Sequence, residues 1–176
     1  MQRIAMLLAL AALPALAQST PKDVLAKHWK TSGEFTVAVA QAMPAESYGF
    51  KPNAEEMSFG ELMVHIGAAN LGACSNASGL ERPAPPEKVA AWMKDHAKVE
   101  LDKATAIAFL KDSFAFCDQA IAAMPDERMN KVVGPPARNL TGAEWLWSYF
   151  THTAHHRGQA EVYLRVKGIK PPAYTF

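Results

Sequence analysis

Four stretches of this chain repeat apolar residues at three- and four-residue steps, and each stops at proline or glycine, so the chain is restricted to helices packed on helices. The first runs from about Pro21 to Met43, with Leu25, Trp29, Ser32, Phe35, Thr36, Val39 and Met43 along one face, and Pro44 ends it. The second begins at Ser58, where Ser58 and Glu61 form an S-x-x-E capping box, and continues to about Ala77 before Ser78-Gly79. The third covers about Asp102 to Met124 and stops at Pro125. The fourth opens on a further box, Thr141 with Glu144, and runs to about Lys167, where Gly168 fits a left-handed cap. Glu81-Arg82-Pro83-Ala84-Pro85-Pro86 cannot be helical, and a short helix is expected around Val89 to Asp95. No segment alternates with period two, so no strands are expected. Four amphipathic helices bury their stripes most simply against one another, which predicts an all-α four-helix bundle.

The start of the chain has a different character. Met1-Gln2-Arg3 is short and positive, Ile4 to Leu13 is apolar, and Ala15-Leu16-Ala17 fits the small-x-small pattern of a signal-peptidase site. Residues 1–17 are therefore read as a signal peptide, with residues 18–176 as one mature domain. The apolar run is too short to span a bilayer, and no stop-transfer segment follows it. The expected location is periplasmic or secreted, with no membrane partner after cleavage. Removing residues 1–17 takes away Arg3 and no acid, and leaves 17 basic and 17 acidic side chains. That balance, without a basic patch, argues against nucleic acid as a partner, because phosphate neutralisation needs clustered Lys and Arg.

Of the six histidines, His152 and His156 carry the most information, because four-residue spacing puts both imidazoles on one helix face. At 100° per residue, Trp145, Tyr149, His152, His156, Ala160 and Tyr163 share an arc of about 80°, so both histidines lie on the inward stripe. Buried neutral imidazoles need partners, and a divalent cation is the strongest available. His65 sits in the second helix at the edge of a stripe made by Leu62, Ile66, Ala69 and Ala73, where a side chain meets a neighbouring helix. Three His ligands leave positions open for water or substrate. Thr153 follows His152, so the zinc-protease order H-E-x-x-H is absent, and so is H-x-x-E-H. No phosphate loop and no G-x-S-x-G elbow occur either. A set of hydrogen-bonded core histidines remains the bland alternative at this point.

The run His155-His156-Arg157-Gly158-Gln159, with Tyr163-Leu164-Arg165 and Gly168-Ile169-Lys170-Pro171-Pro172, resembles the last helix of the DinB/YfiT-like superfamily and its H-x-x-x-H-R-G-Q signature. Ser58-Phe59-Gly60-Glu61-Leu62-Met63-Val64-His65 resembles that superfamily's capped second helix, which bears the first metal-ligand His. The resemblance implies a four-helix bundle with a long crossover between helices 2 and 3, for which residues 78–101 suffice. It also implies one divalent metal ion, zinc or nickel first among them, held by His65, His152 and His156, and membership of a superfamily in which homodimers are frequent. His155 matches a position outside the ligand set. His28 is expected away from the site, His96 exposed in the connector, and Arg157 in a packing or salt-bridge role.

The resemblance further implies metal-dependent chemistry of hydrolase or thiol-transferase type on a small molecule not named by the sequence. The alternative is a non-catalytic metal-binding or stress-associated interaction domain. No Asp or Glu lies on the inward arc near His152 and His156, and Tyr149 is the polar neighbour there that could donate a proton. Cys74 and Cys117 are either two buried thiols or a disulfide. In parallel second and third helices both would fall toward C-terminal ends at similar height, where an oxidising compartment lets them pair.

Overall fold

Local chemistry at each helix start decides where the chain becomes ordered in the computed structural model, which describes residues 19–96 and 98–175. The expected signal peptide, residues 1–17, lies outside the described residues. Helix α1 (Pro21–Ala42) is opened by Thr20, whose hydroxyl accepts from the Asp23 amide while the Asp23 carboxylate accepts from the Thr20 amide. This reciprocal box was not anticipated, because Asp replaces the usual Glu or Gln at the third position. The boxes at Ser58 and Thr141 open α2 (Phe59–Ser78) and α6 (Gly142–Val166) as expected. Asp102 alone caps α4 (Lys103–Ala123). Gly79 ends α2 with φ of 82°, a left-handed conformation that a side chain would strain.

The crossover from α2 to α4 contains α3 (Glu87–Lys94), whose Val89 and Trp92 are buried. The Trp92 indole donates to Glu61 Oε1 at 3.3 Å, which ties the crossover to the first turn of α2. After α4 comes the single turn α5 (Asp126–Met129), which carried no sequence signal. Its Arg128 donates to the Ala77 carbonyl at 2.6 Å and so places a cation at the C-terminal end of α2. One expectation fails: β1 (Val132–Val133) pairs antiparallel with β2 (Leu140–Thr141). Two residues per strand are too few to show alternation. The pairing arises because Gly134 and Asn139, both at positive φ, fold the chain between them back on itself.

Helices α1 and α2 each pack against both α4 and α6, so α1 faces α2 across a diagonal. Lys22 Nζ reaches the Met124 carbonyl and Lys103 Nζ the Met43 carbonyl, which makes α1 and α4 antiparallel. Helices α2 and α4 are parallel. A Cβ at Gly60 would stand 2.5 Å from the Leu101 carbonyl, so only glycine lets the two chains approach there. At the far end Cys74 is bonded to Cys117, with Cα atoms 5.3 Å apart and both residues fully buried. The expected stripe of α1 is buried throughout, from Leu25 through Trp29, Phe35 and Val39 to Met43. Among the described residues no helix is long and apolar enough to cross a membrane.

Candidate metal centre

The antiparallel contact of α2 with α6 brings together the three histidines singled out in the sequence. His65 Nε2 lies 3.2 Å from His152 Nε2, and His156 Nε2 lies 3.1 Å from the same atom. One nitrogen from each ring falls within 4.8 Å of the other two. Nearby, Thr153 donates its hydroxyl to Asn70 Oδ1 at 3.0 Å, and both residues are buried. That bond fixes the rotation of α6 against α2 within one residue of His152. The histidines themselves are only half-buried, at the rim of the inward arc.

The arrangement suits a cation better than a hydrogen-bonded trio. His156 Nδ1 meets Gln159 Oε1 at 2.6 Å, so with the amide placed this way Nδ1 carries the proton. The Nε2 lone pair of His156 then points at the cluster. His152 Nε2 has two nitrogen neighbours but a single proton or lone pair to offer them, so it cannot satisfy both. A tetrahedral zinc with Zn–N of about 2.0–2.1 Å sets its ligand nitrogens about 3.3 Å apart, close to the spacings seen. The donor set therefore fits a divalent ion with open positions.

Electrostatics point the same way. Burial, then the neighbouring His156, His65 and His155, lower the His152 pKa to about 4. His65 is lowered by burial and then by His156 and His96, and His156 by burial despite its bond to Gln159. All three imidazoles are held neutral at pH 7, the form in which a ring nitrogen ligates metal. One of the three arms is held less firmly, because among the described residues His152 Nδ1 is buried without a hydrogen-bond partner.

The remaining histidines lie where the sequence put them. His155 is exposed, its ring centroid 4.8 Å from that of His156, and His96 is exposed and stacked on Trp92 at 4.2 Å. His28 lines a separate cavity on the other side of α6. Arg157 is in a packing role, buried against α1, and among the described residues it makes no salt bridge. Three supporting residues were not foreseen: Gln159, Asn70 and Trp92. Gln159 had a signal, since a residue three positions beyond His156 is its neighbour on the helix surface. Among the described residues no carboxylate joins the cluster. The nearest in sequence to a ligand is Glu61, one turn before His65, and it is fully engaged by Ser58, Trp92 and Lys51. Burial alone would raise its pKa, but those hydrogen bonds outweigh it and hold the carboxyl below its ordinary value.

Fold and site together define a four-helix-bundle protein with an exposed-edge tri-histidine cluster spanning two helices. The chain belongs to the DinB superfamily, whose family profile matches residues 28–160 and so includes all three histidines. It is similar to a solved DinB-like protein from Bacillus subtilis, with 20% identity, a TM-score of 0.64, and coverage of 86% of this chain and 96% of that one. A DinB-like protein from Bacillus cereus is similar at 17% identity and a TM-score of 0.70, covering 86% of this chain and 95% of that one. At such identities the likeness speaks for the fold. No curated protein matches the chain significantly.

Proposed function

We propose that this protein is exported, binds one divalent ion (zinc or nickel) through His65, His152 and His156, and is a metal-dependent enzyme of hydrolase or thiol-transferase type. The observation that carries the reading is the convergence of three Nε2 atoms at 3.1 and 3.2 Å, with His156 oriented by Gln159. A bound ion would supply Lewis acidity, lowering the pKa of a coordinated water or thiol and stabilising developing negative charge. The protein's own part is to hold three neutral imidazoles in register, by the Thr153–Asn70 bond and the Gln159 bond, and to leave one side of the cluster open. Tyr149, whose ring centroid lies 5.4 Å from that of His152, is the neighbour with a proton to give. Elemental analysis of protein purified without added metal should find about one divalent ion per chain, and full metal content in His152→Ala would sink the reading. A thiol-transfer and esterase panel on the loaded protein then separates the two reaction types.

The competing reading is a metal-binding or stress-associated domain without catalysis, favoured by the lack of a carboxylate in the cluster among the described residues. Inactivity of the metal-loaded protein across the panel would select it. Export is supported by the Met1–Ala17 pattern and by the paired Cys74 and Cys117, a pairing suited to an oxidising compartment. Mass spectrometry from the native host should find a chain beginning at or near Gln18. A homodimer belongs to the same reading, and sedimentation of the mature protein tests it.

A further inference from the structure

Arg157 follows His156 directly, yet one step of about 100° along the helix turns it from α2 toward α1. There the residue as a whole is 93% removed from solvent, at 7% exposure. Its Nη1 donates to Ser32 Oγ at 2.7 Å, to the Ser32 carbonyl at 3.3 Å and to Thr36 Oγ1 at 3.3 Å, while the Phe35 ring lies 4.6 Å away. Among the described residues every hydrogen bond of this guanidinium leaves from Nη1, and no carboxylate forms an ion pair with it. Glu161, one turn further along α6, is turned to Arg165 at 3.6 Å. Burial weakens the guanidinium's hold on its proton, and the more distant Glu161 and Tyr174 oppose that. Among the described residues this charged group is thus buried with neutral dipoles on one nitrogen and no counter-charge in contact, which is a costly arrangement unless something completes it.

Beside it is a cavity of about 80 Å³, bounded by Arg157 and Ala154 of α6, His28 and Ser32 of α1, Phe150, and Tyr174 of the C-terminal segment. Among the described residues no acidic side chain lines it. At roughly 30 Å³ per water molecule this is room for two or three waters or one small organic anion. The Ser32 hydroxyl accepts from Arg157 and keeps its own proton to donate. A carboxylate suits this set, because a planar guanidinium presents paired N–H donors to two oxygens and one negative charge balances one positive.

We propose that this cavity is a binding site for a small monocarboxylate, with Arg157 as its anchor, separated from the histidine cluster by the width of α6. The site takes its ligand on the α1 side of the helix, so it does not depend on metal at His65, His152 and His156. The test is calorimetric titration of the mature chain with acetate, using acetamide as the uncharged isostere and sodium chloride at matched ionic strength. Acetate is expected to bind wild type and His152→Ala with equal affinity, which also removes coordination to a metal ion as an explanation. Ala154→Leu fills the cavity while leaving Arg157 in place, and Arg157→Lys keeps the charge while losing the fork. Each should weaken acetate at least tenfold. Should Arg157→Lys fail to fold, Ala154→Leu still decides the matter. Acetate binding that Ala154→Leu leaves within twofold, that acetamide or chloride reproduces, or that His152→Ala abolishes overturns the proposal, as does the absence of acetate binding to wild type.

Discussion

Helix α6 carries a polar group on each of two flanks, and the flanks solve the burial problem in opposite ways. Toward α2 it presents His152 and His156, groups that can shed their charge and become neutral when water is removed. Toward α1 it presents Arg157, which cannot, and which instead collects hydroxyl and carbonyl dipoles and an aromatic face. The imidazole flank sits at a half-exposed rim and brings one ring nitrogen of each histidine within 4.8 Å of the other two. The guanidinium flank is more deeply buried and, among the described residues, leaves its charge without a contacting partner of opposite sign. Adjacent residues in one signature thus point to a cation on one side of the helix and an anion on the other.

The largest expected effect breaks the imidazole flank alone. His152→Ala should take the bound metal from about one ion per chain to none, measured by elemental analysis, with acetate binding at Arg157 unchanged. Next comes the frame behind His65. The Cys74–Cys117 bridge holds α2 to α4, so Cys74→Ser with Cys117→Ser should cost about 3–4 kcal/mol and lower the melting temperature by on the order of 10 °C. If melting is unaffected by the double substitution, the bridge does not constrain the unfolded chain as assumed.

A pH series separates the flanks more finely. The His152 pKa lies near 4 in the folded protein against 6.5 for the free side chain, so the unfolded chain takes up the proton first. The stability this residue supports is complete above about pH 6.5 and is lost as pH falls toward 4. Metal-free protein should show that decline in thermal melts, metal-loaded protein should show it at lower pH, and the Arg157 flank should contribute nothing in the window. A metal-free melt that stays flat from pH 7 to 4 contradicts it. The smallest effect is expected from Gln159→Leu, which frees His156 Nδ1 and should weaken metal about tenfold in competition with a chelator, without loss of the fold.

Much of this was legible because it is local. Capping boxes at Ser58 and Thr141, the breaks at Pro44, Pro125 and Gly79, and the shared arc of His152 and His156 all depend on residues within one or two turns of each other. The box at Thr20 is equally local but uses Asp23, and the β1–β2 pair is too short to leave a pattern. Asn70 was invisible for another reason. Its role is a bond to Thr153, 83 positions away, that exists only after α2 meets α6.

The sequence by itself determined where the helices begin and end, which residues face inward, and that His152 and His156 share one helix face, since periodicity and capping act within the helix. Only the tertiary structure decided that α1 faces α2 across the diagonal, that Cys74 meets Cys117, and that Arg157 is buried with no contacting acid among the described residues. Those outcomes depend on how four similar apolar stripes share their neighbours, and a stripe specifies that it will be buried without specifying against which helix.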